Sequence, residues 1–416
     1  MSISVSARRV TAGRAAAGAA LPIIMALGFS HFLNDMMQSL VPALYPMLKG
    51  SYGLSFAQIG TIALTMQVTS SLLQPVIGLS TDRRPRPYSL ALGMAVTLFG
   101  LLLLARAAGY LSLVLAAAMV GTGSAVFHPD ALRVARMASG GRHGLAQSMF
   151  QVGGNIGSAL GPLLAAFVVL PKGQGSIGWF ALTALLAMTV LFSVGNWHRR
   201  ERSQPLRHAP RPGGDGAHLS RRSIGWALGI LLLLISASAL YTTSLNTYYT
   251  FYLISRFQLS LANAQIHLFV FLAAVAVGTL IGGPLGDRIG RKSVIWGSIL
   301  GVLPFTLLLP HANLFWTGVL TVVIGLTLAS ASATIILYAL DLVPDRIGTI
   351  AGLFFGLSFG LAGVGAVLFG RLADIAGIDF VYRICAFLPI FGLLTALLPN
   401  LAPTQPARSA VRRKRS

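Results

Sequence analysis

Twelve long apolar stretches leave this chain few ways to fold. A membrane-spanning helix needs about 20 mainly apolar residues. A window of that length marks 21–45, 56–79, 88–106, 110–132, 144–170 and 177–197, then 224–254, 264–285, 293–310, 313–340, 348–371 and 380–399. Of the 416 residues, 55% are hydrophobic and only 10% charged, against roughly 25% charged in a soluble domain. A soluble core cannot hide that much apolar surface. Lipid is the solvent these segments need, and many carry Gly or Pro, which membrane helices tolerate. The expected fold is an all-α membrane protein with twelve transmembrane helices.

The charge looks at first like a different message. Lys and Arg number 31 against 10 Asp and Glu, a net charge of +21, which in a soluble protein would suggest nucleic acid. Position along the chain decides between the two. With the N-terminal segment inside, 25 of the 31 cations fall in seven inner segments and six on the outer side. That bias predicts a multi-pass protein of the bacterial inner membrane with both termini cytoplasmic, and no nucleic-acid partner, because the cations form no single face. The residues divide into a tail (1–20), a six-helix bundle (21–197), a basic linker rich in Arg, Pro and Gly (198–223), a second bundle (224–401) and a basic tail (402–416). The apolar run after Arg8, Arg9 and Arg14 is too long for a cleavable signal. Cys385 is the one cysteine, so no internal disulfide is possible, and its expected role is packing.

The bundles repeat one another. GLSTDRRPRP (78–87) follows the second span and GPLGDRIGRK (283–292) the eighth, so that Gly78, Asp82, Arg83 and Arg86 anticipate Gly283, Asp287, Arg288 and Arg291. Arg142 and Gly144 likewise anticipate Arg346 and Gly348. Two related six-helix halves joined by a linker are the organisation of a parallel-repeat transporter, with the substrate path between the halves. In the loop motif, Gly permits close helix approach, Asp can accept from a helix N-terminus or an Arg, and the cations anchor at the anionic inner surface. The motif residues Gly78, Asp82, Arg83, Gly283, Asp287, Arg288, Gly290 and Arg291 therefore read as a cytoplasmic gate or brace rather than as substrate contacts.

These residues resemble the major facilitator superfamily. GPLGDRIGRK matches its loop motif in full; the first copy has Pro85 where the motif has Gly. Gly157, Gly161 and Pro162 resemble the superfamily's antiporter motif, with Ala165 and Ala166 where it usually has Gly. The fourth helix has Ala117 in place of the expected Arg upstream of VGTGS (120–124), so a proton-coupling role for that Arg is not carried over. SHFLNDMMQSL (30–40), FHPDALRVARMASGGRHGLAQSMFQVGGN (127–155), YYTFYL (248–253) and IGGPLGDRIGRKSVIWGSILG (281–301) are similar to the bacterial fosmidomycin resistance proteins. The resemblance spans nearly the whole chain apart from the tails and linker. It implies a drug efflux pump exchanging substrate for protons, with substrate range left open.

Ionisable groups at membrane depth are functional candidates, because holding them in hydrocarbon is costly. Asp35 lies fourteen residues into the first span, roughly 21 Å along it at 1.5 Å per residue, with His31, Asn34 and Gln38 on or beside the same face. A carboxyl there can load and release a proton, and a structural hydrogen bond is the plainer alternative. In the fourth span, His128, Asp130 and Arg133 lie near the cytoplasmic mouth, Asp130 about 30 Å from Tyr110. Asp130 and Arg133 can pair across a turn, and Pro129 can bend the helix. This second cluster is an ion-pair gate, a proton site or an anion entry point, since Arg suits a phosphonate such as that of fosmidomycin. Arg136 is read as a surface anchor. Gln147, Gln151 and Asn155 form a stripe on the fifth span, Gln67 and Gln74 lie seven apart on the second, and Asn246, Tyr248, Tyr249 and Tyr252 lie on the seventh. These and His267 are substrate-contact candidates or helix-packing groups.

No enzymatic constellation is present in the sequence. There is no phosphate-cradling Gly-Lys-Ser/Thr loop and no metal-spaced His/Cys cluster, and His198, His208 and His218 read as linker residues. The expected function is drug/proton antiport by a monomer without catalytic residues or cofactor, driven by the proton gradient and exporting a small, anionic, drug-like compound. A proton symporter importing an organic anion is the rival on the same scaffold. A non-transporting sensor or anchor is the rival of another class.

Overall fold

The computed structural model describes residues 20–77, 86–140, 143–201, 220–343 and 347–399. The expected gate residues Gly78, Asp82 and Arg83, the tails, His208 and His218 lie outside the described residues, as do Arg142 and Arg346. Among the described residues, twelve helices carry the fold: α1 Leu21–Ala43, α2 Phe56–Ser71, α3 Ser89–Ala105, α4 Tyr110–Ala138, α5 His143–Leu164, α6 Phe180–Glu201, α7 Arg221–Phe257, α8 Leu261–Ile289, α9 Arg291–Leu308, α10 Leu314–Leu342, α11 Ile347–Ala376 and α12 Ile378–Cys385. The last continues as the 3-10 segment Leu388–Leu397, and no strand occurs among the described residues.

Ten described helical stretches are long and apolar enough to cross a membrane, and Ser89–Ala105 is a shorter apolar helix. The twelfth helix, α1, has 23 residues but is not among the ten. Ser30, His31, Asn34, Asp35, Gln38 and Ser39 dilute its apolar content. The helix with the most polar groups at membrane depth is thus the one that depends most on protein, rather than lipid, for its surroundings.

Packing within each half follows one scheme. In the first, α1 packs on α5, α3 on α4, α2 on α4, and α6 on α3 and α1; in the second, α7 packs on α11, α9 on α10, α8 on α10, and α12 with its 3-10 continuation on α9 and α7. Between the halves, α2 meets α11 and α5 meets α8, which is the same pairing with the halves exchanged. Glycines set the close approaches. A Cβ at Gly157 would lie 2.2 Å from the Phe32 carbonyl oxygen and one at Gly161 2.1 Å from Ser39 Oγ, so the expected antiporter-motif glycines seat α5 on α1. Pro162 lies inside α5, and the π-helical turn Ala165–Val169 follows it, with Ala165 and Ala166 buried.

Several helices outrun the apolar windows. α4 continues to Ala138 because a helix keeps its hydrogen bonds after it leaves the apolar layer, and Arg133 and Arg136 lie in that extension. The stretch 198–223 is partly helical: α6 runs to Glu201 and α7 starts at Arg221. His198 is accordingly no linker residue; it is 2% exposed within α6. At the other end of the bundle, the end away from that linker, α1 stops at Ala43 and a short helix, Tyr45–Tyr52, leads to α2.

That far end is where the halves are tied. Asp374 of α11 accepts hydrogen bonds from the backbone amides of Phe56 and Ala57 through its two oxygens, each at 2.8 Å. The first turn of α2 also has a capping box, with Ser55 Oγ accepting from the Gln58 amide and Gln58 Oε1 from the Ser55 amide. Its orphan N–H groups are thus divided between its own half and the other. Gln265 of α8 donates to the Ala43 carbonyl nearby, and a Cβ at Gly60 would lie 2.4 Å from the Ala366 carbonyl oxygen.

Candidate functional site

α1 brings His31, Asn34, Asp35 and Gln38 to one face, and α4 and α5 close over it. The Asp35 side chain, 17% exposed, lies 3.3 Å from His31 Nε2 through Oδ2 and 3.6 Å from His128 Nε2 through Oδ1. Asn34 Nδ2 donates to Asp35 Oδ1 at 2.9 Å, and Ser158 of α5 donates to Oδ2 at 3.4 Å. His31 is 2% exposed. Its ring stacks on Phe150 with centroids 3.9 Å apart, and its Nδ1 lies 2.7 Å from the Phe150 carbonyl oxygen. A carbonyl oxygen can only accept, so Nδ1 carries a proton there. The same holds for His128, whose Nδ1 lies 2.9 Å from the Ser124 carbonyl oxygen. Both rings therefore present Nε2, the nitrogen free to gain or lose a proton, to one carboxylate.

This grouping differs from the one the sequence suggests. His128 joins Asp35 and not Asp130, because two residues along a helix is about 200° of rotation. Asp130, 1% exposed, faces α3 instead, where Ser89 donates to it. Arg133 Nη2 lies 3.4 Å from its other oxygen, Oδ1. The Ser89–Asp130 bond ties α3 to α4, while the Arg133 contact lies within α4.

A cavity of about 340 Å³ opens beside Asp35, between the halves. The first half contributes Asp35, Gln38, Gln67, Asn155 and Ser158, and the second contributes Thr243, Asn246 and Thr247 from α7, among apolar neighbours. Among the described residues, neither Asn155 Nδ2 nor Asn246 Oδ1 has a hydrogen-bond partner, although both atoms are buried. They are one unpaired donor and one unpaired acceptor, from opposite halves, on residues that line the cavity. Among the described residues, no Lys or Arg lines this cavity.

The remaining candidates have other duties. Gln151 donates to Asn155 Oδ1 at 3.1 Å and so orients it, while Gln147 is exposed. Gln74 bonds to the Ser70 carbonyl of its own chain segment. Tyr248, Tyr249 and Tyr252 are fully buried. Tyr248 donates to the Ala366 carbonyl, Tyr249 meets Thr321 Oγ1 at 3.2 Å, and Tyr252 stacks on Tyr382 at 4.1 Å. They hold the second half together and do not line the cavity. His267 lies on a separate apolar groove with Val270, Phe315 and Gly318. In the second loop motif, Gly283 and Asp287 are helical positions of α8, Arg288 is exposed, Gly290 takes φ +89° at the start of α9, and Arg291 pairs with Asp341 of α10. Sequence reasoning passed over Ser124, Ser158, Thr243 and Thr247. The two threonines are one turn apart, with Asn246 between them, which was the available signal.

His31, Asp35 and His128 also place one potential ligand atom each within 4.8 Å of one another. The expectation of no metal rested on sequence spacing alone, which does not detect a cluster assembled from α1 and α4.

Comparisons with known proteins fit this architecture. A family model described as the Major Facilitator Superfamily matches residues 27–363 and 252–416. The chain is 56% identical over 382 residues to the fosmidomycin resistance protein of Escherichia coli (strain K12), covering 91% of this chain and 93% of that one. It is 40% identical over 380 residues to YfnC of Bacillus subtilis (strain 168), described as an uncharacterized MFS-type transporter, with 91% and 93% covered. Among solved structures, a bacterial homolog of the human lysosomal transporter Spinster, in an inward-facing and occupied conformation, superposes with TM-score 0.73 at 16% identity, covering 92% of this chain and 98% of that one.

Proposed function

We propose, for a chain that belongs to the major facilitator superfamily and within it to the fosmidomycin resistance family, proton-coupled export of a small polar compound such as fosmidomycin. The observation that carries this reading is the position of Asp35, in the wall of the cavity between the halves and facing two histidine Nε2 atoms. One site can then hold either protons or a ligand. Asn155 and Asn246 give the ligand a donor and an acceptor from opposite halves, so that its binding favours their approach. The Lys and Arg bias supports a cytoplasmic linker end and a periplasmic far end. The Asp374 contacts then seal the periplasmic side, and the cavity loads from the cytoplasm. Export by alternating access follows: substrate enters from inside and displaces protons, the halves rock, and protons entering from outside displace the substrate.

The expected negative charge of the substrate meets no fixed cation in the cavity among the described residues, and Arg133 is engaged with Asp130. With Asp35 ionised and both histidines neutral, the cluster carries one negative charge. Two added protons make it positive. An anion that needs the protonated cluster would travel with protons, and this favours proton–anion symport as the second reading.

The two readings give opposite signs. In exchange, protons compete with substrate, so the cytoplasmic-side KM for fosmidomycin in everted vesicles rises as pH falls, by up to tenfold per unit for one competing proton. In symport it falls. Asp35→Asn should abolish pH-driven flux while leaving the protein inserted. Unchanged pH-dependent transport by that variant would exclude Asp35 as the proton site.

A further inference from the structure

We propose that Ser124 is a positioning residue that couples the substrate cavity to the proton site through Gln38 and His128. The inference rests on the reading of Asp35 and His128 as that proton site. Ser124 is 1% exposed on α4, at the end of the stretch VGTGS (120–124). Its hydroxyl donates to Gln38 Oε1 at 3.0 Å, across to α1. The same oxygen lies 3.2 Å from His128 Nδ1. With its proton committed to Gln38, Ser124 Oγ is an acceptor toward the ring, and Nδ1–H is shared between that oxygen and the Ser124 carbonyl oxygen at 2.9 Å. Ser124 thereby sets both the ring orientation and the tautomer, directing Nε2 to Asp35 Oδ1.

Gln38 is the other end of the chain, and it lines the cavity. Hydrogen bonds in series polarise one another. While Gln38 draws on the serine proton, Ser124 Oγ is a better acceptor for Nδ1–H, and such a partner steadies an imidazole carrying a second proton on Nε2. A ligand that donates to Gln38 Oε1 weakens that link, and the ring then holds its Nε2 proton less firmly. Ligand binding releases a proton, which is the sense that exchange requires. The titratable groups facing His128 are Asp35 and His31, both from α1. α2 and α3 contain no charged or histidine residue, α5 presents Gly154 to the cluster, and Asp130 and Arg133 of α4 are paired with each other further along.

The test is fosmidomycin uptake into everted membrane vesicles holding the full chain, measured across pH, with the protons moved per fosmidomycin counted. Ser124→Ala should insert normally, shift the pH of half-maximal transport to lower pH by about one unit, the scale of one net hydrogen bond, and move fewer protons per substrate. Ser124→Thr keeps the hydroxyl and should restore both. Gln38→Ala combined with Ser124→Ala should shift the profile no further than Ser124→Ala alone. If the alanine variant does not insert, Ser124→Cys, close in volume and a poor donor, takes its place. A wild-type pH profile in Ser124→Ala overturns the proposal, as does a Ser124→Thr variant shifted as far as the alanine one, since packing would then explain both. A wild-type chain without pH-driven flux overturns the exchange reading itself.

Discussion

Gly154 holds the histidine–carboxylate cluster in place from the side of α5. A Cβ there would lie 2.4 Å from His31 Cε1, 2.5 Å from Nε2 and 2.9 Å from Asp35 Oδ2. His31 has little room to yield, because its ring is stacked on Phe150 and bonded to the Phe150 carbonyl. Gly154→Ala is therefore expected to cut pH-driven transport at least tenfold and to cost about 1–3 kcal/mol of stability, in the range of other overpacked sites. Vesicle flux and the melting temperature of the purified protein check the two parts. Half of the cluster was legible in the sequence. His31, Asn34, Asp35 and Gln38 share one helix face at spacings of three, four and seven. His128 was assigned to the wrong neighbour because proximity along the chain was read as proximity in space, and only the packing of α4 on α1 brings it to Asp35.

At the scale of the elements, the α1–α5 contact is the one on which the site depends. Gly157 and Gly161 oppose backbone and side-chain atoms of α1, whereas a Cβ at Gly356 or Gly360 of α11 would meet nothing within 4 Å. Gly157→Val should lower the melting temperature in detergent by several degrees and reduce flux, while Gly356→Ala and Gly360→Ala should change neither. Equal effects at the two sets would show that glycine number, rather than contact, sets the stability. Along the Gly-rich run of α11 the packing is uneven. Its far part is packed, as Gly370 against the Phe56 carbonyl shows, but Gly356 and Gly360 are open. Hydropathy revealed that the helices exist because burial in lipid drives both composition and helix formation. It missed their ends, since α4 stays helical through Arg133 and Arg136 after its apolar content falls.

For the whole molecule, the decisive contact joins residues 318 positions apart in the chain, Phe56 and Asp374. Asp374→Ala removes both bonds to the first turn of α2 and should loosen the far-end seal. A cysteine placed at Asn246 should then react several-fold faster with an impermeant thiol reagent added from the periplasmic side. The native Cys385, 1% exposed, adds little background. An unchanged labelling rate would place the seal elsewhere. The duplicated architecture could be read from the repeated Gly, Asp and Arg positions, and the matching helix contacts of the two halves follow from it. The cavity could be read only in part: Asp35, Gln38, Gln67, Asn155 and Asn246 stand out as polar groups at membrane depth, whereas Ser158, Thr243 and Thr247 resemble ordinary helix residues, because a hydroxyl can bond to its own helix backbone.

The polar content of α1 also bears on how the chain is made. The Phe150 carbonyl that receives His31 lies 119 positions later in the chain, which at the usual pace of synthesis is roughly ten seconds of translation. For that interval α1 has no α5 beside it, and its histidine, asparagine, aspartate and glutamine must wait near the interface or in the shelter of the insertion machinery. Ribosome-bound chains truncated before residue 143 should therefore leave α1 accessible to aqueous reagents, and chains extended past residue 164 should not. The polar side chains of α1 would thus make the completion of α5 the step that commits α1 to the bilayer.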